Sequence, residues 1–218
     1  MNASLKIPLF AAGATATAGA GVLAVNGLPS SKEEKSISSL LSQNPSVRAI
    51  STGEESDWTK AWTAYKSSGK DIWKLGDGST VPESFKNTCK DKLESKVSGI
   101  DADGYQNFIS YCARDTLISD LLKDSGETPL TKTEEASSDG WKKAWEAYIT
   151  ANTDKPDGQD DWKIDKFKEE KSKKEKALDA FRDMCESKLG SKEISNATLL
   201  DQVKKWCTKP KAVAQGDS

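Results

Sequence analysis

Apolar residues recur at helical intervals over most of the chain, and charged residues fill the faces between them. Trp58, Ala61, Trp62 and Tyr65 stand at i, i+3, i+4 and i+7, with Lys60 on the other side. That spacing gathers the four side chains on one face of a helix. Trp141, Ala144, Trp145 and Tyr148 repeat it, with Lys142, Lys143 and Glu146 facing away. A second stripe runs through Phe85, Cys89, Leu93 and Val97. Its counterpart passes through Leu178, Phe181, Cys185 and Leu189, with Gly190 placed to cap the helix. A third joins Tyr105, Phe108, Ile109 and Cys112, matched by Leu200, Val203 and Cys207. A helix holding Leu117, Ile118, Leu121 and Leu122 is expected to run on from the first set into the second. Alternating runs of β-branched residues are scarce, so little strand is predicted.

The stripes come in the same order twice, which marks an internal repeat. ISSLL at 37–41 matches ISDLL at 118–122, and TGEESDW at 52–58 resembles EEASSDGW at 134–141. WTKAWTAY at 58–65 matches WKKAWEAY at 141–148, and DIW at 71–73 has a looser partner in DDW at 160–162. FKNTCKDKLESK at 85–96 then matches FRDMCESKLGSK at 181–192, and Tyr111-Cys112 matches Trp206-Cys207. The second copy is longer between its Trp cluster and its first Cys. Loops are marked by residues 76–84, 98–104 and 152–161, and a linker by 124–140. KEEKSKKEK at 168–176 reads as a solvated helix face. The chain divides into an N-terminal segment (1–31), a first unit (32–115), a second unit (116–209) and a disordered tail (210–218). The fold class expected is all-α: a membrane helix followed by two tandem homologous helical units.

Ile7 to Ser31 contains no charged residue, and Lys6 stands just before it. The stretch is long enough to cross a bilayer as a helix. Its Gly- and Ala-rich composition also suits a signal peptide cut after Ala20 or Ala24. The anchor is the favoured reading, with residues 7–28 in the membrane and the rest of the chain outside or secreted. No Cys precedes Cys89, which excludes lipid attachment at a processed N-terminal cysteine.

Cys112 follows Cys89 at nearly the interval that separates Cys207 from Cys185, and each cysteine sits on the apolar face of its helix. If the chain is exported, repeat logic selects Cys89–Cys112 and Cys185–Cys207 from the three possible connectivities. A zinc site fits poorly, for there is no CxxC and no histidine. Four buried free thiols are the alternative if the N-terminal segment is not an export signal.

Composition narrows the function classes. Hydrophobic residues make up 35% and charged residues 30% of the chain, so each unit has only a modest core. A net charge of −2 argues against nucleic-acid binding, which needs a basic surface. The absence of histidine removes His-based acid–base and nucleophilic chemistry. Carboxylate catalysis remains open, with Asp160 and Asp161 or Asp101 and Asp103 as candidates for a glycosidase-like pair. DADG at 101–104 and DKPDGQDD at 154–161 resemble calcium loops only in part, lacking the closing Glu. No cofactor is implied. The faces of Trp58, Trp62, Tyr65, Trp141, Trp145 and Tyr148 read first as core. Trp73 and Trp162 lie outside the stripes among polar loop residues. They are the candidates for an exposed contact with a sugar ring, a lipid headgroup or a partner protein.

A Gly/Ala-rich N-terminal segment, then W-x-x-[AW]-W-x-x-Y, F-x3-C-x3-L and a final [YW]C resembles the large paralogous families of uncharacterised proteins in haemotropic mycoplasmas. Trp58, Trp62, Tyr65, Cys89, Tyr111 and Cys112 carry it, with their second-unit partners ending in Trp206-Cys207. The resemblance covers most of residues 1–209. It implies a secreted or membrane-anchored, host-facing and antigenically variable protein, and it carries over no catalytic residue. The expectation is a non-enzymatic surface protein that meets host proteins or glycans, the alternative an exported carboxylate-dependent hydrolase.

Overall fold

The computed structural model describes residues 33–50 and 55–210. The expected anchor or signal segment at 1–31, its membrane contact at 7–28 and the tail from 211 onward lie outside the described residues. Among the described residues, no helix is long and apolar enough to cross a membrane.

The aromatic and cysteine stripes form helices, as their periodicity requires. Repeat 1 runs β1 (Lys35–Ser36), α1 (Ile37–Leu41), β2 (Val47–Ala49), α2 (Glu55–Ser67), α3 (Glu83–Leu93), β3 (Lys96–Val97), α4 (Asp103–Cys112) and β4 (Ala113–Asp115). Repeat 2 runs α5 (Ile118–Asp124), α6 (Asp139–Asn152), α7 (Phe167–Glu170), α8 (Asp179–Leu189) and α9 (Ala197–Trp206). Side-chain caps fix several starts by occupying N–H groups that the first turn leaves unpaired. Ser36 Oγ accepts from Ser39 N–H at 3.2 Å, Ser138 Oγ from Trp141 N–H at 3.4 Å and Asn196 Oδ1 from Leu199 N–H at 3.0 Å.

Three expectations need correction. The chain is mostly helical rather than all-α: β1 pairs antiparallel with β3, and β2 with β4, Arg48 lying opposite Arg114. These ribbons are too short to show an alternating pattern in sequence. No helix runs on from repeat 1 into repeat 2, because the chain turns extended at Ala113 (φ −126°, ψ 159°) and pairs as β4 before α5 begins. Within KEEKSKKEK only the start belongs to a helix, α7, and Ser172–Lys176 are exposed residues beyond it.

Each repeat buries its own core. Ile37, Trp62, Tyr65, Phe85 and Phe108 centre the first, and Ile118, Trp145, Tyr148, Phe181 and Val203 the second. Cys89 is joined to Cys112 and Cys185 to Cys207, with Cα separations of 5.3 and 5.5 Å. The two repeats share further bonds at equivalent places. Ile37 N–H donates to Ser95 O at 3.0 Å and Ile118 N–H to Ser191 O at 2.9 Å. Ile50 N–H donates to Cys112 O at 2.9 Å and Leu130 N–H to Cys207 O at 2.8 Å. Trp62 Nε1 donates to Gly78 O at 2.9 Å and Trp145 Nε1 to Lys173 O at 3.0 Å.

Polar contacts join the repeats. Arg114 grips Asp120 of α5 through two hydrogen bonds of 2.6 and 2.9 Å, and Arg48 reaches Asp124 at 2.8 Å. Arg114 also meets Asp57 of α2 at 3.1 Å. Burial pushes the Asp120 carboxyl up. The Arg114 hydrogen bonds, the Leu117 N–H and the charges of Arg114 and Arg48 outweigh that, leaving it below the usual carboxylate range.

Candidate functional site

The repeated phrase builds an aromatic cluster in each repeat. Phe85 of α3 stands at the centre of the first, its ring 5.1 Å from Trp62, 5.5 Å from Tyr65, 6.1 Å from Trp73 and 6.2 Å from Trp58. Tyr111 meets Tyr65 and Trp73 edge-on at 5.3 and 5.8 Å. In the second, Phe181 lies 5.2 Å from both Trp145 and Tyr148, 6.0 Å from Trp162 and 6.1 Å from Trp141. Trp206 replaces Tyr111 and meets Tyr148 and Trp162 edge-on at 4.9 Å each. Such offset and edge-on contacts add to the area that the rings bury.

A loop clamp completes each cluster. Tyr65 OH donates to Asp71 Oδ1 at 3.0 Å and accepts Trp73 N–H at 2.8 Å, while Asp71 Oδ1 accepts Leu75 N–H at 2.7 Å. Tyr148 OH donates to Asp160 Oδ2 and accepts Trp162 N–H at 3.0 Å, while Asp160 Oδ2 accepts Ile164 N–H at 2.8 Å. Lys74 and Lys163 both take left-handed backbone, with φ of 55° and 51°. The loose DIW/DDW match is thus part of a longer structural unit, DIWKL at 71–75 and DDWKI at 160–164. Burial raises the Tyr148 hydroxyl, and the Asp160 hydrogen bond adds to it. Burial raises Tyr65 likewise, against the Trp73 N–H. The Leu75 N–H leads the contacts that lower Asp71, with Tyr65 and Gly76 assisting.

The expected exposed contacts are therefore corrected. Trp162 is only 6% exposed, because its backbone is tied to Tyr148 and its ring lies against Tyr148, Phe181 and Trp206. Trp73 is half-buried, stacked on Tyr65 at 5.1 Å. Of the stripe residues, Trp62, Tyr65, Trp141, Trp145 and Tyr148 are buried and Trp58 is half-buried. The larger exposed apolar side chains among the described residues are Ile72 and Ile100.

The candidate carboxylates do different work. Asp160 is buried as an acceptor inside the clamp, and its neighbour Asp161 pairs with Lys155. Asp101 and Asp103 are exposed at the start of α4. Among the described residues, no group of three or more His, Cys, Asp or Glu is placed to hold a metal ion.

Each repeat also carries surface depressions. A groove of about 560 Å³ beside α3 in repeat 1 is lined by Trp58, Leu93, Phe108 and Lys86, among others. A depression of about 590 Å³ on α6 and α9 in repeat 2 is rimmed by Lys143, Lys204, Lys205 and Lys209. Sequence reasoning missed both, because each draws on side chains from separate elements. No protein-family model, no curated protein and no solved structure matches the chain.

Proposed function

We propose that this chain is a host-facing interaction protein, exported and held at a membrane or secreted through residues 1–31, and not an enzyme. The reading extends the resemblance to the surface families of haemotropic mycoplasmas. The two disulfides carry it, one closing each repeat with no cysteine left over. Disulfides persist in oxidising surroundings and are rare where cytosolic thiol systems keep cysteines reduced. A second support is the division of labour within each repeat. The aromatic residues that sequence offered as ligand-gripping groups are spent on packing, so contact with partners falls to the charged exterior. Two linked units also allow two-point attachment, which raises effective affinity without any new contact.

Labelling intact cells with a membrane-impermeant amine reagent tests the reading. Modification of exposed lysines such as Lys143 and Lys205, with a cytosolic control protein unlabelled, is the expected result. Labelling only after lysis would overturn it.

A further inference from the structure

The internal repeat supplies its own template for a docking event. At the end of repeat 1, the β2–β4 ribbon sets Arg48 opposite Arg114, and these two arginines hold the short helix α5 through Asp120 and Asp124. Repeat 2 ends in the same ribbon in reduced form: Pro129 bridges Thr208, and Lys209 N–H donates to Thr128 O at 2.8 Å. Aligning Cys207 with Cys112, and Leu130 with Ile50 by their shared hydrogen bond to the cysteine carbonyl, places Lys209 at the position of Arg114 and Thr128 at that of Arg48.

Around Lys209 the repeat-2 end is cationic. Lys143, Lys204, Lys205 and Lys209 rim the open depression of about 590 Å³, against Glu127 and Asp201. Its floor includes Ala144 and Ala147, small enough for a helix to approach. Lys204 pairs with Glu127 at 3.1 Å and Lys209 with Glu134 at 3.0 Å. Lys143 and Lys205 are exposed and enter no ion pair among the described residues, so positive charge is left over at the rim.

A second copy of this chain is a poor occupant. In a head-to-tail pairing α1 would take the place of α5, and it carries Ser39 and Gln43 where α5 has Asp120 and Asp124. The lysines would then meet neutral side chains. We propose that the lysine-rimmed end of repeat 2 meets the acidic face of a partner protein's helix, as the arginines at the end of repeat 1 meet the aspartates of α5. This names the partner's chemistry for the interaction role proposed above, and rests on that role for the existence of a partner. Opposite charges would speed and select the encounter more than they deepen it, so binding should weaken with salt.

A fluorescent, helix-stapled peptide with the sequence of residues 117–126 (LISDLLKDSG) is a suitable probe, titrated into the full chain and followed by anisotropy. Saturable binding is expected, weakened by about tenfold or more in the K143E/K205E variant and for a peptide with both aspartates changed to Asn. Near-UV circular dichroism of the variant checks that the aromatic cores are intact. A disrupted spectrum would shift the test to the single variants K143E and K205E. Absence of binding, equal binding of the peptide that lacks both aspartates, or binding unchanged in a folded variant would overturn the proposal. So would self-association of the wild-type chain abolished by K143E/K205E, or capture by heparin that the peptide cannot displace. Peptide binding with labelling only after lysis would keep the docking site and remove the host-facing role. Surface labelling without peptide binding would do the reverse.

Discussion

Trp73 and Trp162 occupy the same place in the two repeats, each following the aspartate of a tyrosine clamp, yet Trp73 is half-buried and Trp162 is 6% exposed. Trp58 and Trp141 differ in the same direction, Trp141 being 1% exposed. The closing residues lie outside the repeated phrase. In repeat 2 the linker crosses Trp141, whose Nε1 donates to Thr131 O at 3.1 Å, and Arg182 bonds Lys132 O and Glu134 O at 2.7 Å each. Phe167 of α7 stands edge-on to Trp145 and Tyr148 at 5.9 and 5.5 Å. Repeat 1 has the shorter loop between Tyr65 and Phe85, and Lys86 in place of Arg182 bonds Glu55 at 3.0 Å instead. The same eight-residue phrase therefore builds one sealed core and one partly open core, and segment length around it decides which.

The largest effect should come from cutting into the sealed cluster. Trp162→Ala is expected to cost about 3–5 kcal/mol, whereas Trp73→Ala removes a ring already half in water and should cost distinctly less. Urea unfolding of both variants measures the gap, and equal costs would erase the contrast between the repeats. Next come the disulfides. Replacing Cys89 and Cys112, or Cys185 and Cys207, by serine should lose about 3 kcal/mol in either repeat on the chain-entropy account. Because the cores are separate, hydrogen exchange should localise each loss to its own repeat.

A smaller contrast lies in the clamps. Asp160→Ala strips the buried acceptor from Tyr148 OH and Ile164 N–H and should cost about 1–3 kcal/mol, while Asp71→Ala, at an exposed carboxylate, should lower the melting temperature less. The smallest effect concerns the junction. The Asp120 pKa is depressed by its arginine partners, so its contribution is fully present above the unfolded value of about 3.9 and fades as pH falls through the lower folded value. Hydrogen exchange at Thr116 and Leu117, corrected for intrinsic rates, should show protection fading over that acid range. Loss of protection well above pH 4 would mean that other groups hold the junction.

Much of this architecture could be read from the sequence. Helical stripes of Trp, Tyr, Phe and Cys give a strong periodic signal, and their doubled order identifies the equivalent residues of the two repeats. The ribbons escaped because two or three residues cannot display alternation. Polar neighbours in sequence suggest that Trp162 faces water, yet it is buried. Asp160 is instead turned inward, its Oδ2 accepting from Tyr148 OH and Ile164 N–H, while its Oδ1 is buried without a hydrogen-bond partner among the described residues. Neither surface depression was legible, since Lys143 and Lys205 come together only when α6 packs on α9.

The described residues form two separately stapled copies of one helical unit. Peptide mapping by mass spectrometry under non-reducing conditions, on protein taken from native cells, tests this most directly. The expected result is Cys89 linked to Cys112 and Cys185 linked to Cys207, with no peptide joining the repeats. A cross-repeat bond or four free thiols would contradict it.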